Sequence, residues 1–205
     1  MKEILNDSQV LTGAQATETA LKRAAGPVVL HIATHGFFLP NRPEESASDD
    51  GASRGPEAPR GENPLLRSGL ALAGANQRDG GDGEDGVFTA LEAAGLDLWG
   101  SKVVVLSACE TGLGAINNGD GVYGLRRALM LAGAETQVTS LWKVDDAATR
   151  DLMRGYYRRL KTGKGRTEAL RDVQKAMLQR SGRSHPYYWA AFIPIGDWRN
   201  LDGRQ

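Results

Sequence analysis

Two short runs of apolar, mostly β-branched residues constrain the fold of this chain more than any other feature. They are Val28–Ala33 and Val103–Ala108, and segments of helical composition lie between and after them. Continuous apolar runs of this length are typical of strands that are buried on both faces of a sheet. The alternation predicts an α/β fold of three layers, with a mostly parallel sheet and helices on both faces.

Two further strands and five helices complete the predicted pattern. The strands are Gln137–Trp142 and Ala190–Ile195, and Pro194 places the second one at an edge or near a strand end, because proline cannot donate to a ladder. The helices are recognised by apolar residues three and four positions apart and by capping residues. They are Thr17–Ala25, Thr89–Ala94, one from about Gly121 with Val122, Leu125 and Leu129, one after Asp145 and Asp146 with Leu152, Met153, Tyr156 and Leu160, and one from Thr167 with Leu170, Val173 and Met177.

Two segments have the composition of mobile loops. Residues 40–64 contain five prolines and almost no large apolar side chain, so they bury too little surface to offset the entropy of ordering. Residues 76–86 are rich in Gly and Asp and indicate a flexible, solvated connection. The remainder is long enough for one core, and the sequence predicts a single domain over 1–205, a fragment of a longer protein.

Charge and cysteine content disfavour several classes of function. The 25 basic and 25 acidic residues balance, so no net field attracts nucleic acid or an anionic membrane. No apolar stretch approaches the roughly 20 residues that span a bilayer. The single cysteine forms no internal disulfide, which favours a reducing, cytoplasmic location.

Reactive side chains stand where the two apolar runs end. Cys109 follows the second run, and His35 follows the first. The carboxyl ends of neighbouring parallel strands meet at one edge, where open α/β sheets carry their ligands, so we expect the thiol and the imidazole to lie together. Gly36, Gly112 and Gly114 allow backbone N–H groups to approach an oxyanion. The pattern favours a cysteine nucleophile with a histidine base.

Other interpretations of the same residues stay open. Cys109 on its own is also typical of a small buried apolar residue. His31 is interpreted as a packed or hydrogen-bonded core residue, or as a support beneath the site. A metal set of His31, His35, Cys109 and His185 lacks the short paired spacing of zinc ligands. The glycine-rich segment 110–121 also suits a phosphate cradle but lacks the P-loop pattern, and 163–167 is interpreted as a turn.

Five blocks resemble the CHAT domain, a family of caspase-like peptidases that are commonly fused to tetratricopeptide repeats in bacteria. The resemblance runs in order from about Val10 to Trp198. The blocks are His31-Ile-Ala-Thr-His-Gly-Phe-Phe38, Leu106-Ser-Ala-Cys-Glu-Thr-Gly-Leu-Gly114, Gly119-Asp-Gly-Val-Tyr-Gly-Leu-Arg-Arg-Ala128, Ser140-Leu-Trp-Lys-Val-Asp-Asp146 and His185-Pro-Tyr-Tyr-Trp-Ala-Ala-Phe192.

The resemblance implies a caspase-haemoglobinase fold and a cysteine endopeptidase that needs no metal or organic cofactor. By position, Cys109 is the nucleophile, His35 is the general acid and base, and the N–H groups of Gly36 and Cys109 hold the oxyanion. The implied substrate pocket lies beside the strand that follows the cysteine strand, although the last two of its residues are equally suited to helix capping. The pocket residues are Ser107, Ser140, Trp142, Asp145 and Asp146.

The resemblance also implies a setting for the activity. We expect a protein or peptide substrate in a bacterial signalling, defence or cell-death pathway, and control by a repeat domain or an activating partner. The rival hypothesis is a catalytically inactive adaptor, in which the same sheet only docks a protein.

Overall fold

The computed structural model describes residues 8–39, 63–107 and 120–204 of the chain. The predicted loop at 40–64 therefore lies almost entirely outside the described residues, as does Cys109. Seven strands are described: β1 (Val29–Ile32), β2 (His35–Phe38), β3 (Ser68–Ala71), β4 (Val87–Thr89), β5 (Val103–Leu106), β6 (Thr136–Ser140) and β7 (Phe192–Gly196). Six α-helices are described: α1 (Glu18–Lys22), α2 (Ala90–Ala93), α3 (Asp120–Leu131), α4 (Asp146–Lys161), α5 (Arg166–Leu178) and α6 (Pro186–Trp189).

The central sheet has four strands in the order β1-β5-β6-β7. The first three are parallel, and β7 runs antiparallel to β6 along the outer edge. The expectation of a mostly parallel sheet is confirmed. Pro194 lies opposite Val138 in this edge strand. No described strand pairs with the outer side of β7, so the missing N–H of proline leaves no ladder hydrogen bond unmade there.

Strand β5 is buried on both faces, and that position explains its unbroken apolar sequence. Val103 and Val105 pack with α4 and α5 on one face, whereas Val104 and Leu106 pack with α2 and α3 on the other. All four side chains are fully buried. Burying one such side chain stabilises the fold by about 1.5–3 kcal/mol, so both helical layers are held against this strand.

A second sheet, which the sequence analysis does not predict, is antiparallel and has the order β2-β3-β4. The first apolar run was expected to continue as one strand to the histidine that follows it. Instead β1 ends at Ile32, and His35 begins β2, where it pairs with Ala71 of β3. The Thr34 hydroxyl donates to the Ala71 carbonyl at the break. The change of sheet is therefore fixed by pairing partners that lie far along the chain.

The helices agree with the predicted apolar stripes, and the structure adds two caps that the sequence analysis does not predict. Thr17 caps α1, and Thr89 forms a capping box with Glu92 at α2. The stripe of α4 buries Leu152, Met153, Tyr156, Leu160 and also Tyr157, all in one cluster with α5. The short α6 is an element that the sequence analysis does not predict.

The connection between β3 and β4 contains the second predicted loop. Its backbone forms a small bridge between Gly81 and Glu84, and the Gly80 N–H donates to the Glu84 carbonyl at 2.7 Å. Among the described residues, no helix combines the length and the apolar character needed to cross a bilayer.

Candidate active site

Strands β1 and β5 bring their carboxyl ends to the same edge of the central sheet. Their register pairs Ile32 with Leu106, the last residue of each strand. The Ser107 N–H extends the pairing by donating to the Ile32 carbonyl at 2.9 Å. The two runs singled out in the sequence are thus adjacent and parallel, and the segments that follow them leave from one place.

His35 stands at this edge but belongs to the smaller sheet. Its side chain is exposed, and it borders an open depression of about 410 Å³. The rest of the lining consists of Gly13, Ala14 and residues 71–77. Among the described lining residues, His35 is the one whose side chain can take up a proton.

The register of β2 determines where the Gly36 N–H points. Leu39 donates to the Arg67 carbonyl at 2.7 Å, in the same register that pairs His35 with Ala71. Hydrogen-bonded and non-hydrogen-bonded pairs alternate along antiparallel strands, so Gly36 occupies a non-hydrogen-bonded pair. Since β2 is an outer strand of its sheet, the Gly36 N–H faces away from β3, on the edge side.

Cys109 lies outside the described residues, together with most of the glycine-rich segment 110–121. Strand β5 ends at Leu106, the chain is described up to Ser107, and it is described again from Asp120, where α3 begins. The predicted contact between His35 and Cys109 therefore stays a prediction.

The predicted substrate residues lie at the ends of β5 and β6. Ser107 directly follows β5 and is partly exposed, whereas Ser140 is the last residue of β6 and is buried. Leu106 and Thr139 are the last paired residues of β5 and β6, and each serine directly follows one of them. Trp142 is partly buried, and its indole N–H donates to the Tyr187 carbonyl at 3.3 Å.

The structure separates the two predicted aspartates. The Asp145 carboxylate accepts the Ala148 N–H at 2.7 Å and caps α4. Asp146 occupies the first turn of α4 and is exposed. The Asp145 carboxylate is therefore engaged in capping α4, whereas the Asp146 carboxylate is open to solvent.

His31 is held by hydrogen bonds on both sides of its ring. Its Nε2 lies 3.0 Å from Ser107 Oγ, and its Nδ1 lies 2.9 Å from the Tyr157 hydroxyl. Burial lowers the pKa of His31 to about 4. This is the hydrogen-bonded core role foreseen for His31. Sequence reasoning missed Tyr157, although its place on the inward stripe of α4 was a usable signal.

The third histidine of the metal hypothesis has a separate local role. His185 Nδ1 accepts the Tyr187 N–H at 3.2 Å and caps α6. In the described part of the chain, the side chains that come close enough together to share a metal are Glu18, Glu84 and Glu92. The Lys22 ammonium already lies among them, 2.8 Å from Glu84 and 2.9 Å from Glu92. Burial opposes a charge on Lys22, but the hydrogen bonds that its ammonium donates to Glu84 and Glu92 outweigh this effect and raise the lysine pKa.

Comparisons with known proteins place nearly the whole sequence in one family. It matches the family model described as the CHAT domain over residues 1–197. It is 29% identical over 198 residues to "Tetratricopeptide repeat protein 28" of Homo sapiens and 27% identical over 198 residues to the protein of that name from Mus musculus. Each alignment covers 92% of this chain, which spans about 8% of the length of these relatives.

Proposed function

Because the chain belongs to the CHAT domain family, we propose that it is a cysteine endopeptidase with Cys109 as nucleophile and His35 as general acid and base. One observation carries the proposal. Ile32 and Leu106 are register partners in adjacent parallel strands, and His35 and Cys109 each follow their strand's partner by three residues. The strand that precedes His35 and the strand that precedes Cys109 thus end at the same level and at the same edge of the central sheet.

The chemistry of the proposed dyad is acyl transfer through a thioester. His35 takes the thiol proton as Cys109 Sγ attacks the scissile carbonyl carbon. The C–N bond then breaks, the imidazolium gives that proton to the leaving amine, and an acyl-enzyme remains. Water attacks the thioester, His35 removes its proton, and the C–S bond breaks to release a carboxylic acid and restore the thiol.

The oxyanion that forms during each attack needs N–H donors. We assign this role to the backbone N–H groups of Gly36 and Cys109. The outward direction of the Gly36 N–H supports the assignment, because this N–H makes no hydrogen bond to β3. Such a donor is commonly worth a factor of about 100–1000 in rate.

The substrate pocket is proposed to lie between the ends of β5 and β6. Ser107 and Trp142 supply its walls, Ser140 is buried at the end of β6, and Asp146 supplies a carboxylate that is not committed to capping. Asp145 contributes less charge to a ligand, because its carboxylate already accepts an N–H of α4. A basic side chain before the scissile bond suits this pocket.

Control by a neighbouring repeat domain or a partner protein is the proposed setting. The curated relatives bear the name of tetratricopeptide repeat proteins, and the aligned part is a small share of each. We infer that the parent of this chain also carries repeats, and that it acts in a bacterial signalling, defence or cell-death pathway in the cytoplasm, where the thiol of Cys109 stays reduced.

Covalent labelling tests the proposed dyad. A biotinylated tripeptide chloromethyl ketone that ends in arginine should label the wild-type protein and should not label Cys109→Ala. His35→Ala should lose most labelling, whereas His185→Ala, which removes an imidazole from the α6 cap, should keep it. Digestion of a peptide library by the same variants then gives the cleavage motif.

The same experiment separates the rival adaptor function. An absence of labelling and cleavage by the wild-type protein, together with partner binding that survives Cys109→Ala, would contradict the peptidase proposal and favour the adaptor.

A further inference from the structure

A chain of hydrogen bonds runs from α4 through β1 to the end of β5. Tyr157 on α4 contacts His31 Nδ1, and His31 Nε2 contacts Ser107 Oγ. The proposed dyad does not use any of these three groups. These hydrogen bonds nevertheless end on Ser107, which directly follows β5 and stands two positions before Cys109.

The burial of Tyr157 decides which ring nitrogen of His31 carries the proton. His31 is neutral near pH 7, because burial holds its pKa near 4, and a neutral imidazole offers one donor and one acceptor. Tyr157 is fully buried, and burial raises the pKa of its phenol, so it keeps a proton that needs an acceptor. Among the described residues, the acceptor that it contacts is His31 Nδ1.

Acceptance at Nδ1 leaves the imidazole proton on Nε2. That N–H is then directed to Ser107 Oγ, 3.0 Å away. The Ser107 hydroxyl therefore acts as acceptor toward His31, and no other residue in the described part of the chain takes the proton of this hydroxyl. Ser107 is partly exposed, so its hydroxyl is accessible. The backbone N–H of Ser107 donates to the Ile32 carbonyl, and this hydrogen bond holds the residue in place.

We propose that Tyr157 and His31 are positioning residues that set the Ser107 hydroxyl as a hydrogen-bond donor to the bound peptide. The proposal rests on the peptidase function and names a specific interaction within it. If the phenol is removed, the imidazole is free to carry its proton on Nδ1, and Nε2 then competes with the peptide for the Ser107 proton.

The tautomer of His31 can be read without any activity. In wild-type protein labelled with ¹⁵N, long-range ¹H–¹⁵N correlation spectra should show a neutral ring with the proton on Nε2 between about pH 6 and 8. Tyr157→Phe should shift the population toward the Nδ1-protonated form. A wild-type ring protonated on Nδ1 overturns the proposal, whatever the enzyme does.

The effect on binding is measured with the arginine chloromethyl ketone. Ser107→Ala and Tyr157→Phe should each raise its KI about three- to tenfold, with little change in the maximal inactivation rate, because one hydrogen bond to the ligand is lost. The double variant should match Ser107→Ala alone, since Tyr157 acts through Ser107. Additive losses would instead indicate separate structural effects.

A conservative variant keeps the test valid if the phenylalanine variant folds poorly. The amide N–H₂ of His31→Gln reaches the place of Nε2 and should hold KI near the wild-type value, whereas His31→Leu should raise it as Ser107→Ala does. Equal KI values for wild type and Ser107→Ala would defeat this inference alone. An unlabelled wild-type protein would defeat the peptidase proposal and this inference with it.

Discussion

The Tyr157 hydroxyl lies 2.9 Å from Nδ1 of His31, although 126 positions separate the two residues along the chain. Their rings are tilted against each other with centroids 5.9 Å apart. The contact joins α4 to β1 across one face of the central sheet. It also places a neutral, titratable ring inside the fold.

The first prediction is a loss of stability on acidification through His31. The unfolded chain binds a proton at this residue below about pH 6.5, whereas the folded protein resists until about pH 4. The unfolded state therefore binds more protons in this window, and the free energy of unfolding falls by about 3 kcal/mol as the pH drops from 6.5 to 4. Denaturant unfolding at a series of pH values measures the slope.

His31→Gln is the control for this prediction, because glutamine keeps hydrogen-bonding capacity and does not titrate. Of the described groups that contact His31, Tyr157 also titrates, but the burial-raised pKa of this phenol keeps it protonated throughout the window. Unfolding free energies of the two proteins that run parallel between pH 4 and 6.5 would contradict the assignment to His31.

The second prediction concerns Arg166, which is fully buried at the amino end of the central sheet. Its guanidinium donates to Thr136 Oγ1 and Glu135 Oε2, both at 2.8 Å, and to the Asn200 carbonyl at 3.3 Å. Arg166→Met should lower the free energy of unfolding by about 2–4 kcal/mol, because polar partners in the interior lose their donor. Thermal and urea unfolding measure the loss.

Arg171→Met is the matched control, since that side chain is 57% exposed and pairs with Glu168 and Asp172 at the surface. We expect a change below about 0.5 kcal/mol. Similar losses in the two variants would mean that burial of Arg166 is not what makes its contacts matter.

The third prediction assigns the Asp145 carboxylate to the start of α4. Asp145→Ala should cost about 1 kcal/mol, because the Ala148 N–H loses its acceptor. Asp145→Asn should cost much less, since the amide oxygen still accepts. If the asparagine variant is as unstable as the alanine variant, the side chain stabilises the protein through its charge instead of the cap.

The fourth prediction tests the smaller sheet as the support of His35. A Cβ on Gly69 of β3 would lie 2.8 Å from the Phe37 ring and would also clash with the Phe88 carbonyl oxygen. Gly69→Ala should therefore cost about 1–3 kcal/mol and loosen β2. Hydrogen exchange should speed up at 35–38 and 68–71 while β5 stays protected, and labelling of Cys109 should slow.

Gly95→Ala is the control for the smaller sheet, because its added Cβ would lie 3.3 Å from the Glu92 carbonyl, a tight but adjustable contact. We expect little change in exchange at 35–38. Faster exchange in β5 of Gly69→Ala would show that the two sheets do not respond separately.

The sequence allows the central sheet to be predicted because β5 is buried on both faces and must be apolar throughout. The second sheet escapes prediction for two physical reasons. The chain from Val28 to Leu39 contains no proline and keeps its apolar character past Ile32, so nothing local marks the change of partner at Thr34. The pairing of His35 with Ala71 is set by distant residues.

The candidate site also combines features that the local sequence predicts with contacts that it does not predict. Strand ends and helix caps follow from local patterns, as the Asp145 cap illustrates. The contact of His31 with Tyr157 depends on how α4 packs across the sheet, which residue spacing within either element does not determine.

The proposed acid–base group and the strand that leads to the proposed nucleophile belong to separate hydrogen-bonded frameworks, although both stand at one edge. The smaller sheet is nevertheless anchored to the main scaffold, because Leu70 of β3 and Phe88 of β4 are buried in one cluster with Val104 and Leu106 of β5. The position of the His35 imidazole therefore depends on the pairing of β2 with β3, whereas the position of the β5 end depends on its pairing with β1 and β6.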